Sequence, residues 1–322
     1  VDELLVGTLV ASTLRVSVPL ILCALAGVLC ERAGVIDLGL EGKMLATAFA
    51  AASVGSLSQS LPLALAAALA VGVALSMLHA YACVTHRGDQ VVLGMAITMT
   101  AAGLTVVLGI AWFAQGGQTP PLPDAVRFGR WFTGIGEAVA GIPGVGKTLA
   151  LALFGHTPLV YLSLLAVVGV WWLLYRTRFG LRLRATGENP AMVDAAGVSV
   201  KGLRYQALAL NGVLCSMAGA SLVLAQNPSF IPNMTAGRGY MALAAMIFGK
   251  WHPVGALLAC LLFGFLDAVS IRLQGVALPG IGTVPVQAIQ ALPYVLTVVL
   301  LAGFIGHAHA PAALGRPYVK ER

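Results

Sequence analysis

The chain has 322 residues, of which 59% are hydrophobic and only 10% are charged, with a mean hydropathy of +0.91. Soluble domains are about half apolar and a quarter charged, so this composition excludes a soluble globular protein and points to an integral membrane protein. The net charge of +7 comes from Arg and Lys gathered in short loops between apolar runs, which reads as topology signals rather than a nucleic-acid-binding face.

Asp2 and Glu3 precede an uninterrupted apolar stretch without a basic leader and cleavage site, so the first helix is expected to stay in the mature protein. Runs of about 20 apolar residues can cross a hydrocarbon core of about 30 Å, and they predict membrane helices near 10–30, 38–57, 62–84, 91–114, 158–175, 203–225, 238–249, 253–272 and 285–306. The alternating pattern of a membrane barrel is absent. The expected fold is an all-α polytopic membrane protein of about nine transmembrane helices (8–10), with broken or re-entrant segments. Residues 1–310 form one transmembrane domain with an outer loop at 115–157 and a basic loop at 176–204, and 311–322 form a short tail.

Arg176, Arg178, Arg182, Arg184, Lys201 and Arg204 make 176–204 the densest basic loop, which places it in the cytoplasm. Counting from it puts Arg87, Lys250 and the tail on the same side and leaves the N-terminus outside. The five cysteines lie in or at the ends of apolar runs without metal-ligand spacing and read as small core residues.

The segment ERAGVIDLGLEGKMLATAFA (31–50) places Glu31, Arg32, Asp37 and Glu41 at the edge of apolar sequence, where charge is costly unless paired, interfacial or facing a cavity. Its glycines at 34, 39 and 42 predict a broken start to the second helix. Glu31 and Arg32 are expected in the lipid headgroups, whereas Glu41 is either functional or a structural tie.

GIPGVGKT (141–148) matches the phosphate-binding pattern G-x-x-x-x-G-K-[ST]. A phosphate loop needs a preceding buried strand, a following helix and a magnesium-binding acid. A Pro- and Gly-rich outer loop, with turns at Pro120-Pro121 and Pro143-Gly144, supplies no such domain, and the match is read as coincidence.

In RATGENPAMVDAAGVSVKGLR (184–204), Asn189 or Glu188 can start a helix at Pro190 and Gly197 can end it. The short helix would present Met192, Val193, Ala195 and Ala196 to a partner or to the membrane surface. Further on, Asn211 can hydrogen-bond across a small-residue face of Gly212, Ser216 and Ala220 that permits close helix contact.

In 227–269, Pro228, Pro232, Gly237 and Gly239 interrupt the chain before a short helix, so that Phe230, Asn233, Arg238 and Tyr240 can line a mouth. Asp267 lies within pairing reach of Arg272 on the next helix. GKMLATA (42–48) and GYMALAA (239–245) are weakly alike, in keeping with an internal duplication. The six His are scattered at 79, 86, 156, 252, 307 and 309, and no acid, Cys or His cluster suggests an enzyme, a metal or a cofactor.

ERAGVIDLGLEGKML, ATGENPAMVDAAGVSV and TAGRGYMALAAMIFGKWHPVGALLA together resemble the inner-membrane permease subunits of ABC importers, in the family that serves ribose, other simple sugars, branched-chain amino acids and nucleosides. The wording and order are most similar to the nucleoside branch, and the resemblance runs from about residue 12 to residue 306. It implies a coupling helix in 185–200 that fits a groove on a cytoplasmic ATPase, matched at Gly187, Glu188, Asn189, Pro190, Asp194 and Gly197, with Ala195 and Ala196 on its apolar surface. The family more often carries Asn where this chain has Asp37.

The resemblance further implies separate ATPase subunits, a second permease subunit (identical or related) and an extracytoplasmic substrate-binding lipoprotein. This chain would supply half of the path in a bacterial inner membrane and no covalent chemistry. Glu41, Asn211, Phe230, Asn233, Arg238, Tyr240 and Asp267 are the candidate path residues. An ion-coupled secondary transporter is the alternative, and it would place weight on Glu41 and Asp267.

Retention of basic residues near span ends predicts that single cysteines at Ser199 and Gly117, in a cysteine-free background, react from opposite sides of the membrane. Labelling with an impermeant maleimide checks this, and reaction of both from one side would overturn the topology.

Overall fold

A computed structural model describes residues 3–142, 146–273, 277–278, 282–283, 291, 294–295, 298–299 and 309–320. Twelve α-helices are described: α1 Glu3–Arg32, α2 Leu40–Ser58, α3 Leu61–Ala80, α4 Gln90–Phe113, α5 Thr133–Ala140, α6 Gly146–Leu153, α7 Pro158–Arg176, α8 Arg178–Glu188, α9 Pro190–Ala195, α10 Val200–Ser221, α11 Arg238–Phe248 and α12 Pro253–Leu273. Wider π-type turns, Tyr81–Thr85 and Leu222–Gln226, extend α3 and α10. The one β feature among the described residues is a two-residue antiparallel ladder, Ala277–Leu278 with Gly282–Thr283.

Six of the described helices, α1, α3, α4, α7, α10 and α12, are long and apolar enough to cross a membrane. α2 is also 19 residues long, but Glu41 and Lys43 in its first turn lower its hydropathy, and α11 has only 11 residues. The expected helices up to residue 272 correspond to described ones with ends shifted by a few residues. The helix expected at 285–306 lies mostly outside the described residues.

The bundle is organised around α1 and α10, whose apolar stretches are 83% and 78% buried, against 22% for α3 and for α4. The main core joins α1 residues such as Leu22, Leu25 and Leu29 to Leu174 of α7, Cys215 of α10, Met246 of α11 and Phe263 of α12. A second core joins Leu45, Phe49 and Ala52 of α2 to Ala64 and Ala68 of α3 and to Leu122, Val126 and Phe230 of the connecting segments. All five cysteines are free and buried.

The small-residue face of α10 meets α3 backbone to backbone. A Cβ added to Gly212 would sit 2.7 Å from the Gly72 carbonyl oxygen, so only a bare α-carbon fits there. The break before α2 also has a local cause. Gly34 adopts φ +83°, a left-handed conformation that favours glycine, and turns the chain out of α1, while Ile36 N donates to Gln90 Oε1 at 2.7 Å. Residues 33–39 thus form a hydrogen-bonded step that delivers the charged first turn of α2 into the bundle.

One end of the bundle gathers Arg32, Thr85, Lys250, Gly187 and the strand of chain around Arg316: Thr85 meets the Tyr205 hydroxyl at 2.6 Å, and Arg32 donates to the carbonyls of Lys250 and Trp251. This is the basic end. At the opposite end the long loop is compact. Leu122 N donates to Pro228 O at 2.7 Å, Phe128 N to Leu224 O at 2.9 Å and Trp131 N to His156 O at 2.9 Å.

Within that loop Lys147 is exposed at the start of α6, and the preceding described element is a helix, α5, rather than a strand. α6 lies against α1, with the backbone of Thr148 only 3.1 Å from where a Cβ on Gly7 would stand. Pro143 and Gly144, expected to form a turn, lie outside the described residues. Without a preceding strand or a magnesium-binding acid the segment lacks the surroundings of a phosphate loop, so in the importer that the resemblance implies Lys147→Ala should leave transport and ATP turnover within about twofold. Parallel uptake and phosphate-release assays check this, and collapse of ATP turnover in an assembled complex would refute it.

Candidate functional site

Three sets of side chains define the interior. The first begins with Glu41, one residue into α2. Its carboxylate is buried and accepts from Gly237 N at 2.8 Å and Gly239 N at 2.6 Å, the free amides at the N-terminus of α11. A helix of 11 residues that starts inside the bundle cannot send these amides to water, and a carboxylate suits both the unpaired donors and the positive end of the helix dipole. A Cβ on Gly239 would fall 2.6 Å from the Glu41 backbone, so the close approach needs glycine there.

Around this junction lie several of the expected path residues. Arg238 is half-buried and Tyr240 exposed, with the Tyr240 hydroxyl 3.7 Å from Met95 Sδ. Asn233 is exposed, at φ +55° in a turn. Asp267 is half-buried and lies within the field of Arg238. Towards the end opposite the basic one, a cavity of about 400 Å³ is lined by Arg15, Gln226, Asn227, Arg238 and Arg272.

The second set is a fully buried polar hub. Lys43 Nζ lies 2.6 Å from Asp37 Oδ2 and 3.1 Å from Asn211 Oδ1, and all of these side chains are shielded from solvent. His79 Nδ1 stands 3.1 Å from Asp37 Oδ1, which also accepts from Gly39 N. Asn211 Oδ1 accepts from Ser76 Oγ at 3.1 Å and its Nδ2 donates to Ala26 O at 3.1 Å. One asparagine thereby ties α10 to α1, α2 and α3.

The third set clamps the turn between α11 and α12 at the basic end. Trp251 Nε1 donates to Glu31 Oε2 at 2.6 Å, and Arg32 donates to Trp251 O at 3.0 Å and Lys250 O at 3.3 Å. Lys250 and Trp251 both adopt left-handed backbone, φ +54° and +53°, a conformation costing about 1–3 kcal/mol each that the surroundings must hold.

Several expectations are corrected. Phe230 does not line a mouth: it is fully buried, edge-on to Phe49, because its aromatic surface completes the second core. Asn211 has no access to a path, since its amide is consumed by the hub. Glu31 and Arg32 hold the α11–α12 turn instead of resting among headgroups. Asp267 and Arg272 form no ion pair, because residues five apart on a helix point about 140° apart. Lys43, His79, Ser76 and Trp251 were not foreseen. The available signal was an ammonium one turn into an apolar helix, which requires a partner.

At the basic end, α9 begins at Pro190, Asn189 Oδ1 accepts from Met192 N at 3.2 Å, and Gly197 at φ +78° ends the turn. Met192, Ala195 and Ala196 face outward, whereas Val193 is buried against Val200 and Leu203, so the exposed apolar surface is narrower than expected. Glu188 is exposed and Asp194 half-buried. Gly187 is buried and packs on the Arg32 carbonyl, so its role is to let α8 touch the end of α1. A groove of about 570 Å³ opens between α8 and α9, lined by Leu181, Ala185, Glu188, Met192 and Ala196.

A family model described as the permease component of branched-chain amino acid transport systems matches residues 9–304. The guanosine ABC transporter permease protein NupQ of Bacillus subtilis is 37% identical over 98% of this chain and 98% of its own length. The nucleoside ABC transporter permease protein NupC of Lactococcus lactis is 37% identical over 98% of this chain and 97% of its own. Among solved structures, an ABC transporter described as metal-chelate type, in an inward-facing conformation, aligns with TM-score 0.51 at 17% identity, covering 92% of this chain and 85% of that one. That likeness concerns the fold alone.

Removing one partner of a desolvated ion pair exposes the other to an uncompensated burial cost. Lys43→Met should therefore destabilise the protein by about 3–5 kcal/mol, and adding Asp37→Asn to it should restore part of the loss. Thermal unfolding in detergent checks this. A single variant as stable as the parent would show the pair to be dispensable.

Proposed function

The chain belongs to the family of branched-chain amino acid transport system permease components, and from that premise we propose that it forms half of the translocation path of an ABC importer for nucleosides. The observation that carries the substrate class is the full-length likeness, at 37% identity, to permeases named for guanosine and nucleosides in two different bacteria. Separate cytoplasmic ATPase subunits bind and split ATP. A second permease completes the path, and an extracytoplasmic binding protein delivers the substrate.

In this reading each part of the molecule has a task. The basic end faces the cytoplasm of a bacterial inner membrane, consistent with its Arg and Lys content. Residues 187–197 form the coupling element, with Glu188, Asn189, Pro190, Asp194, Ala195, Ala196 and Gly197 at or beside the groove that receives the ATPase, and Gly187 seating the element on α1.

On the path, Tyr240 offers an aromatic face for a base and Asp267 offers acceptors for ribose hydroxyls, while Asn233 and Arg238 stand nearer the mouth. Glu41 acts from behind by holding the N-terminus of α11. ATP-driven closure of the ATPase pair moves the coupling element and shifts the permease pair between inward- and outward-facing states.

Reconstitution with the ATPase subunits and the binding protein tests the reading: labelled nucleoside should enter vesicles only with ATP, and collapse of ion gradients should leave uptake intact. Loss of uptake on collapsing the gradients would support ion coupling instead. Ala195→Asp or Ala196→Asp puts a charge on the exposed side of α9, costing several kcal/mol once it is desolvated under a partner. Uptake should be lost and the ATPase should detach or idle while the permease still folds. Full ATPase retention with full uptake in both variants would exclude this surface as the coupling site.

A further inference from the structure

The segment 309–320 turns back across the basic end and is bonded into it at nearly every second residue. Ala313 N donates to Gly187 O at 2.8 Å, and Gly315 N to Gly34 O at 3.2 Å. Ala312 N donates to Glu188 Oε2 at 3.3 Å, and Arg204 Nη1 donates to Arg316 O at 3.1 Å. Arg204, itself buried, also donates from Nε to Ala33 O at 3.2 Å. Tyr318 packs against the Val193, Val200 and Leu203 cluster, and Lys320 Nζ lies 3.5 Å from Asp194 Oδ1.

These contacts join elements that are remote in sequence. One short stretch of chain holds the end of α1 at Gly34, the end of α8 at Gly187 and Glu188, α9 at Val193 and Asp194, and the start of α10 at Arg204. Ordering a segment costs backbone entropy at every residue, so a tail without interactions of this kind would stay in solvent. Pro311 and Ala313 are buried, and Gly315 turns at φ +76° where a Cβ would press to 2.9 Å of Ile36 Cδ1.

α9 has six residues and one buried side chain, Val193, so on its own it grips the bundle weakly. A push on it could be absorbed by the turns at Asn189 and Gly197. The segment 311–320 closes that loss by tying α9 to α1 and α10, the two most buried spans.

We propose that residues 311–320 are a transmission strap: they fix the coupling element to the inner ends of α1 and α10, so that displacement of α9 by an ATPase moves the spans instead of bending the loop. This rests on the reading of the chain as an ABC importer permease. The strap is a positioning segment and touches neither substrate nor nucleotide.

The test uses the full complex, with permease ending after Ala310 and, separately, full-length permease carrying Gly315→Val, which lifts the strap from Ile36 by clash and backbone strain. Three quantities are read: ATPase retained on the purified permease, ATP hydrolysed and nucleoside imported. Both variants should keep the ATPase bound and hydrolysing while uptake falls about tenfold, so that ATP consumed per nucleoside imported rises by the same factor. A permease without a coupling function for this strap would keep its ATP-to-substrate ratio, and parental uptake in either folded variant overturns the proposal. Release of the ATPase from a variant that still elutes as a folded permease overturns it too, by making the segment a docking surface. Failure of the unmodified permease to retain any ATPase would instead sink the importer reading itself.

Discussion

An ammonium group buried among membrane helices is the constraint from which much of the architecture follows. Lys43 lies one turn into α2, inside the bundle, where an uncompensated charge would cost several kcal/mol. Its neutralisation demands that residues 33–39 leave α1 at Gly34 and bring Asp37 back under the start of α2. It demands equally that α3 and α10 present His79, Ser76 and Asn211 at the same depth. The hub therefore fixes the relative heights of four helices, a register that apolar packing alone, being non-directional, would leave open. With α2 so placed, Glu41 reaches the amides of Gly237 and Gly239 and allows α11 to begin inside the bundle.

The two ends of α11 are consequently held by different means. A carboxylate from α2 holds the N-terminus through bonds to bare backbone amides, while Glu31 and Arg32 of α1 hold the C-terminal turn through Trp251 and Lys250. A half-length helix anchored at both ends by charge-assisted bonds can keep an exposed face, including Tyr240, without lipid or protein covering it all round. This is the physical condition for a polar path beside an otherwise apolar wall.

Much of this arrangement was legible in the sequence wherever the cause was local. Apolar runs located the helices up to residue 272, six of them long and apolar enough to cross a membrane, Asn189 and Pro190 announced α9, Gly197 announced its end, and the Gly212, Ser216 and Ala220 face announced close packing. What escaped was the consequence of folding on particular side chains. Lys43 and Asn211 are 168 residues apart, and nothing near either names the other. Phe230 stands between Pro228 and Pro232 in a connecting segment, a setting that suggests a mouth, yet it is buried edge-on to Phe49. Asp267 and Arg272 looked paired by distance along the helix, and the error was one of angle.

The carbonyl contact between Gly72 and Gly212 bears on how such a protein can change shape. Where the two backbones approach so closely that a Cβ on Gly212 would lie 2.7 Å from the Gly72 oxygen, there is little side-chain layer to deform, and sliding one helix past the other is resisted. α3 and α10 must travel as one rigid block, with α1 and α2 pinned to it through Asn211. The same bare-backbone approach recurs where Gly42 of α2 meets Thr98 of α4 and where Gly239 of α11 meets Glu41, so these helices too resist sliding along their contacts, and a change of shape favours rotation of whole groups of helices over shear between them.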